Sequence, residues 1–128
     1  MLTLQGVGID CCDVLRAGRF VRRHGKRLHR ILTRRERRVL SAAHSKAGTF
    51  ARLFSGKEAV FKTLGARRLA FGNFKEIEVV RGGSRDGVQL TGRVRAVARA
   101  RRIRRIEVRW RGAQGCAMAC AQSFSVPV

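Results

Sequence analysis

The 128-residue chain has few acids and few ring side chains other than phenylalanine. Asp and Glu total 8 against 29 Lys and Arg, a formal net charge of +21. There is one Trp and no Tyr, and the 7 Phe fall mostly at core spacing rather than between basic residues. That distribution argues against a stacking platform for single-stranded nucleic acid. No run approaches the roughly 18 consecutive apolar residues of a membrane span, so none is predicted. The four cysteines lie as two close pairs, Cys11 with Cys12 and Cys116 with Cys120, neither at zinc-knuckle spacing. They read as small buried or half-buried thiols. The N-terminal MLTLQGVGID is short and uncharged for an export signal and reads as a strand, so a cytoplasmic protein is expected.

What the chain has in excess is arginine. Eleven basic residues lie between Arg16 and Arg38, and nine more between Arg93 and Arg111. Such stripes attract polyanions: nucleic acid, an anionic membrane surface, a phosphorylated cofactor or an acidic protein. Arginine outnumbers lysine 24 to 5, which coding bias alone also produces.

The length predicts one domain, residues 1–128, with a modest core. Leu2, Leu4, Val7 and Ile9 predict a first strand, broken at Gly6 or Gly8 and ending at Asp10. Asp13 is placed to cap a helix through about residue 24. Thr33 and Glu36 form a capping-box pattern, predicting a second helix to about Ala43. Residues 50–65, FARLFSGKEAVFKTLG, predict a long amphipathic helix with Phe50, Phe54, Phe61 and Leu64 inward and Gly65 as its stop. A half-buried strand is expected over 74–80, then a glycine turn at Gly82, Gly83 and Gly87 and a short strand over 88–90. A helix over 93–102 and a hairpin of strands around Ile106–Trp110 and Cys116–Val126, joined by a turn at 111–115, complete the order. Strands and helices do not alternate strictly, so the fold class is α+β, with a mainly antiparallel sheet packed against the long helix.

Within that helix Glu58 and Lys62 stand one turn apart, as a surface ion pair or as part of a phosphate and metal site. Asp10 is a turn aspartate or a site residue. Together Asp10 and Glu58 form the kind of donor pair that Mg²⁺ takes, leaving other positions for water and phosphate oxygens. Lys57, Lys62 and the arginines would neutralise those phosphates. Spacing alone does not bring Asp10 to Glu58.

The segments GVGIDCCDVLR (6–16), RILTRRE (30–36), FARLFSGKEAVFKTLG (50–65) and FKEIEV (74–79) resemble, in order and spacing, the holo-acyl-carrier-protein synthases of the 4′-phosphopantetheinyl transferase superfamily. KEAVFKTLG also resembles the transferase domain of fungal fatty-acid synthases. The resemblance implies a 4′-phosphopantetheinyl transferase-like fold that moves the phosphopantetheine arm of coenzyme A to a serine of an acyl carrier protein, releasing 3′,5′-ADP. It implies Asp10 and Glu58 as Mg²⁺ ligands, Lys62 as a phosphate contact, and Gly65 near the coenzyme. Lys57 and Arg85 are further candidate coenzyme contacts. Glu58 would activate the serine, directly or through water. Arg16, Phe20, Arg23, Lys26, Arg27 and Arg30 would receive an acidic helix of the carrier protein. A homotrimer with sites between subunits is implied, with Trp110 and the last strand at the interface or Trp110 in the core.

The chain departs from the family pattern in three places. Gly112 stands where the family has the histidine of a Ser-x-Ser-His pattern. Ser84, Arg85 and Asp86 replace a Gly-Lys-Pro turn. Arg52 is displaced by one residue from a family arginine, about 100° around a helix. The alternative function is therefore a divergent or inactive homologue that binds a carrier protein, or acts on a carrier-bound substrate, without phosphopantetheine transfer.

Overall fold

In the computed structural model, residues 1–65, 71–79 and 87–127 are described. The elements in chain order are β1 (Thr3–Asp13), α1 (Val14–His24), a 3₁₀ turn (Gly25–Arg30), α2 (Arg34–Ala42), α3 (Lys46–Thr63), a second 3₁₀ turn (Phe71–Glu76), β2 (Ile77–Val79), β3 (Val88–Leu90), α4 (Gly92–Ala100), β4 (Ile103–Ala113) and β5 (Cys116–Ser125). The class is α+β. β1, β5 and β4 form an antiparallel sheet in that order, and β2 pairs antiparallel with β3.

The glycines of β1 do not break the strand. It runs on to Asp13 with one register shift between Leu4 and Gly6. Their role is to admit α3. A Cβ on Gly8 would lie 2.0 Å from the Ala59 carbonyl oxygen, and one on Gly6 would lie 2.5 Å from that of Thr63. Helix and strand can touch at this distance only where no side chain intervenes. On β5 the face toward α3 carries Ala117, Ala119, Ala121 and Ser123, all buried. Small residues on both strands thus set α3 deep against the sheet.

That depth explains a second difference. α3 starts at Lys46, capped by the Ser45 hydroxyl on the Gly48 amide, four residues before the expected start. It is covered on most of its circumference, with Phe50, Ala51, Leu53, Ser55, Gly56, Lys57, Ala59 and Val60 buried. β1, β5, α1, α2, β2 and β4 all pack on it. Such a central helix lacks the polar face that a surface amphipathic helix keeps.

The capping box at α2 forms as expected, and Glu36 does more than cap. Its carboxylate accepts from the Thr33 amide at 2.9 Å, the Val79 amide at 2.9 Å and Lys57 Nζ at 2.5 Å. Lys57 also donates to the Ile77 carbonyl. Glu36 is 2% and Lys57 0% exposed, so this pair ties α2, α3 and β2 together inside the protein. Burial works against both charges, pushing the Glu36 carboxyl up and the Lys57 ammonium down, while their mutual attraction opposes each shift.

Two further boundaries differ, and one expected turn is not described. Phe74 to Glu76 lie in a 3₁₀ turn rather than a strand, because the Glu76 carboxylate caps α4 at the Arg93 amide, 3.0 Å away. The expected turn residues Gly82 and Gly83 lie outside the described residues. The β4–β5 turn is only Gln114 and Gly115, both at positive φ (45° and 76°), so the paired strands extend farther toward it than expected. Finally, Cys11 and Cys116 form a disulfide and only Cys12 and Cys120 are free, correcting the expectation of four thiols. Two cysteines 105 residues apart meet because β1 and β5 are neighbours in the sheet.

Candidate active site

The contact of β1 with α3 creates a polar cluster. Lys62 Nζ donates to the Asp10 carboxylate at 3.1 Å and to the Ile9 carbonyl at 2.9 Å. Glu58 lies one turn earlier on α3. Its carboxyl is pushed up, first by partial burial and then by the negative charge of Asp10, with Lys62 pulling the other way. Asp10, Glu58 and Lys62, more than forty residues apart at the extremes, therefore form one electrostatic unit.

Among the described residues no three His, Cys, Asp or Glu side chains converge as a metal cluster. Asp10 and Glu58 are a pair, which suits a hard cation that takes one or two carboxylates and completes its shell with water and phosphate oxygens. The donor set does not suit a soft metal. Cys12, beside Asp10, is also no ready nucleophile: burial, Asp10 and Asp13 all push its thiol up.

A cleft of about 320 Å³ opens beside this cluster, lined by Asp10, Cys11, Cys12, Asp13 and Arg16, with Phe20, Phe50 and Phe54. Asp13 caps α1, its carboxylate accepting from the Arg16 amide at 3.0 Å. Phe20 stacks on Phe50 at 5.3 Å and remains partly exposed. Arg16, Arg23, Lys26, Arg27 and Arg30 are all exposed. None of the five has an ion pair among the described residues. Arg16 and Arg23 lie on α1, whereas Lys26, Arg27 and Arg30 lie on the following 3₁₀ turn. Phe20, Arg27 and Arg30 also border a groove of about 340 Å³ with His24, Ile31 and Gly72.

The structure puts one expected coenzyme contact elsewhere. Lys57 is fully enclosed with Glu36, because neighbouring helix positions point about 100° apart and, of the two, it is Glu58 that feels Asp10. Arg85 lies outside the described residues. Gly65 ends α3 with φ +56°, and its carbonyl accepts from Arg101 Nη2 at 3.1 Å. No sequence signal singled out Arg101, which reaches this position across 36 residues.

A second cleft, about 590 Å³, lies between the start of α3 and the β4–β5 hairpin, with Arg52, Trp110, Arg111, Gly112 and Cys116 in its wall. Trp110 donates its indole N–H to the Arg52 carbonyl at 2.9 Å, and the Arg52 guanidinium lies 5.6 Å from the ring centroid. The indole is half-buried on Gly56, where a Cβ would come within 2.8 Å of it. At Gly112 a Cβ would meet only the Cys116 carbonyl oxygen, at 4.0 Å. On α3 the first cleft takes Phe50 and Phe54, whereas the second takes Gly48, Thr49 and Arg52, and Arg52 and Phe54 point about 200° apart around the helix. The two clefts therefore open on different sides of one helix.

The family model of the 4′-phosphopantetheinyl transferase superfamily matches residues 6–117. A holo-[acyl-carrier-protein] synthase of Clostridium acetobutylicum is 35% identical over 96 residues, covering 74% of this chain and 77% of that protein. One from Methylobacterium radiotolerans is 40% identical over 78 residues, 60% of this chain and 57% of its own length. The holo-ACP synthase of Plasmodium yoelii superposes with a TM-score of 0.81 at 21% identity, covering 99% of both chains. A Chronobacterium ammoniagenes ACPS–CoA complex superposes with 0.78 at 21% identity, covering 95% of this chain and 98% of that one. With most of its length matched by the family model and its fold shared with these synthases, the chain belongs to the 4′-phosphopantetheinyl transferase superfamily.

Proposed function

We propose that this chain acts as a single holo-[acyl-carrier-protein] synthase domain, transferring 4′-phosphopantetheine from coenzyme A to a carrier-protein serine in the cytoplasm. The observation that carries this reading is the meeting of Asp10, Glu58 and Lys62 where Gly6 and Gly8 let α3 touch β1. The serine oxygen forms a bond to phosphorus as the pyrophosphate P–O bond breaks, and 3′,5′-ADP leaves. Asp10 and Glu58 would hold Mg²⁺, which supplies charge neutralisation on the pyrophosphate. Lys62 exchanges the Asp10 carboxylate for a phosphate oxygen. Glu58 takes the serine proton, directly or through a water. Catalysis is then mainly positioning and charge neutralisation.

The exposed Arg16, Arg23, Lys26, Arg27 and Arg30, with Phe20 among them, suit an acidic carrier-protein helix. The outer face of the sheet exposes Val7, Ile9 and Met118, an apolar surface suited to other copies of the chain in a homotrimer. A neighbouring copy could then offer its Arg52–Gly112 cleft to the Asp10 site, which this chain's own cleft does not face.

Mass spectrometry of an apo carrier protein incubated with coenzyme A and Mg²⁺ tests the reading. A phosphopantetheine mass gain is expected, and no gain with any acidic carrier protein would overturn it. Gly112 favours a second reading, a homologue that grips a carrier protein without transfer. Carrier binding retained with no binding of coenzyme A would select that one.

A further inference from the structure

The transfer reading leaves the first half of the Arg93–Arg111 basic stripe without a role. The structure folds part of it around a cleft of about 240 Å³ between α4 and the start of β4. Arg95 and Arg99 stand one turn apart on α4, so their side chains share one face of the helix. Arg104 comes from β4. Ile103 pairs with Ser125 and Arg105 with Phe124, so Arg104 is the extra residue of a bulge and leaves the ladder. All three arginines are exposed, and among the described residues none has an ion pair. No carboxylate of the described residues lines the cleft. Glu107, the one acid of β4, lies 3.3 Å from Arg105, whose guanidinium covers the Phe124 ring. Arg105 is therefore engaged, and three cations stay unmatched. Leu90, Ala98 and Ile106 give the same cleft an apolar wall.

This cleft is separate from the Asp10 site. Ile106 lies opposite Ser123 and Ser123 opposite Gly6, whereas Asp10 lies opposite Ala119. The cleft thus stands at the other edge of the sheet, about 10 Å across two strand spacings and about 13 Å along. One phosphate group does not span that distance. Nor does the cleft lie on the face offered to other copies. Ile106 shares the side of Ser123, which points to α3, while Ile9 and Met118 point the other way.

We propose that Arg95, Arg99 and Arg104 form a second anion site, which binds the phosphate monoester or diphosphate group of a small molecule. Three guanidinium groups around one small space match a ligand with two or more negative charges close together. A carboxylate or a nucleic-acid phosphodiester brings one charge per group. The planar fork of arginine suits phosphate oxygens, and the apolar wall receives the organic part of the ligand.

The probe is inorganic pyrophosphate without Mg²⁺, titrated into the full chain at about 150 mM salt, where exposed charges are screened beyond about 8 Å. Backbone amide NMR signals should shift at residues 95–106. Arg95→Gln combined with Arg99→Gln should weaken binding about tenfold or more, with the melting temperature unchanged. Arg37→Gln combined with Arg38→Gln removes the same charge from exposed positions of α2 and should leave affinity within about twofold. Dimethyl phosphate, singly charged, should bind about tenfold more weakly than pyrophosphate. Equal losses in the two double variants would assign binding to net charge and overturn the proposal. Shifts confined to residues 10 and 58–62, or no shift at all, would do the same. Dimethyl phosphate or a short single-stranded RNA held by these arginines as tightly as pyrophosphate would overturn the assignment to a compact dianion. Transfer activity is not a readout here, so failure of the anion site and failure of the transfer reading are distinguishable.

Discussion

The cleft at Asp10 and the cleft at Gly112 flank the same helix but are built in opposite ways. At Asp10 the backbones come close because glycine stands at Gly6 and Gly8, and the charged side chains sit in the space beside that contact. Asp10, Glu58 and Lys62 are held by packing that no larger residue would permit. At Gly112 the glycine leaves room instead, since almost nothing stands where a side chain would go. Its fixed feature is Trp110, bonded to the Arg52 carbonyl and seated on Gly56. The same residue type enforces closeness in one cleft and leaves an opening in the other. Substitution should therefore be damaging at Gly6 or Gly8 and tolerated at Gly112.

The largest expected effect is at Glu58. Glu58→Gln keeps the shape and removes the charge, and should lower kcat by about 10²–10⁴ with little change in melting temperature. A comparable loss from a change at Gly112 would break the contrast. The acid limb of the rate should also lie at higher pH than an ordinary glutamate would give, because burial and then Asp10 raise the Glu58 carboxyl against the pull of Lys62, and its charged form is the one that takes a cation or a proton. The sign for stability is the reverse. The folded protein binds this proton more readily than the unfolded chain, so Glu58 favours folding at low pH. That contribution is lost as pH rises through the raised pKa. A pH–rate profile of wild type against Glu58→Gln reads the first effect, and urea midpoints across the same range read the second.

The next effect concerns support rather than chemistry. Lys57→Met leaves the Glu36 carboxylate buried without its cation and should cost about 3–5 kcal/mol in urea unfolding. Adding Glu36→Gln should recover part of that loss, since no buried charge then remains. If Lys57→Met instead weakens coenzyme binding in a protein of unchanged stability, Lys57 belongs to the site after all. Gly56→Ala should cost about 1–3 kcal/mol by driving a methyl into the Trp110 indole, with a shift in the fluorescence of the single tryptophan. Gly112→His is expected to be the mildest. Stability should stay within about 0.5 kcal/mol of wild type, and a new hydrogen bond to the coenzyme should raise its affinity about two- to tenfold, read by calorimetry.

Much of this was legible in the sequence where the signal is local. The Phe spacing located the long helix, Thr33 with Glu36 located the start of α2, and Asp13 was correctly read as a cap. What depends on packing was not legible. Gly6 and Gly8 read as a break because the sequence does not show the helix that crosses them. Lys57 read as a phosphate contact because it is a cation next to Glu58 in the chain, while its own partner, Glu36, lies 21 residues away. The Cys11–Cys116 bond follows from sheet order, which cysteine spacing does not encode. Asp10 and Glu58 were joined only by family resemblance, and the structure supplies the physical reason: the glycine-mediated contact of β1 with α3.

A crystal structure with coenzyme A and Mg²⁺ tests the central claim most directly. Electron density should show one cation between the Asp10 and Glu58 carboxylates, with a pyrophosphate oxygen in its shell and Lys62 turned from Asp10 to the phosphate. A coenzyme bound with its pyrophosphate away from Asp10, and with the Asp10–Lys62 pair undisturbed, would contradict it.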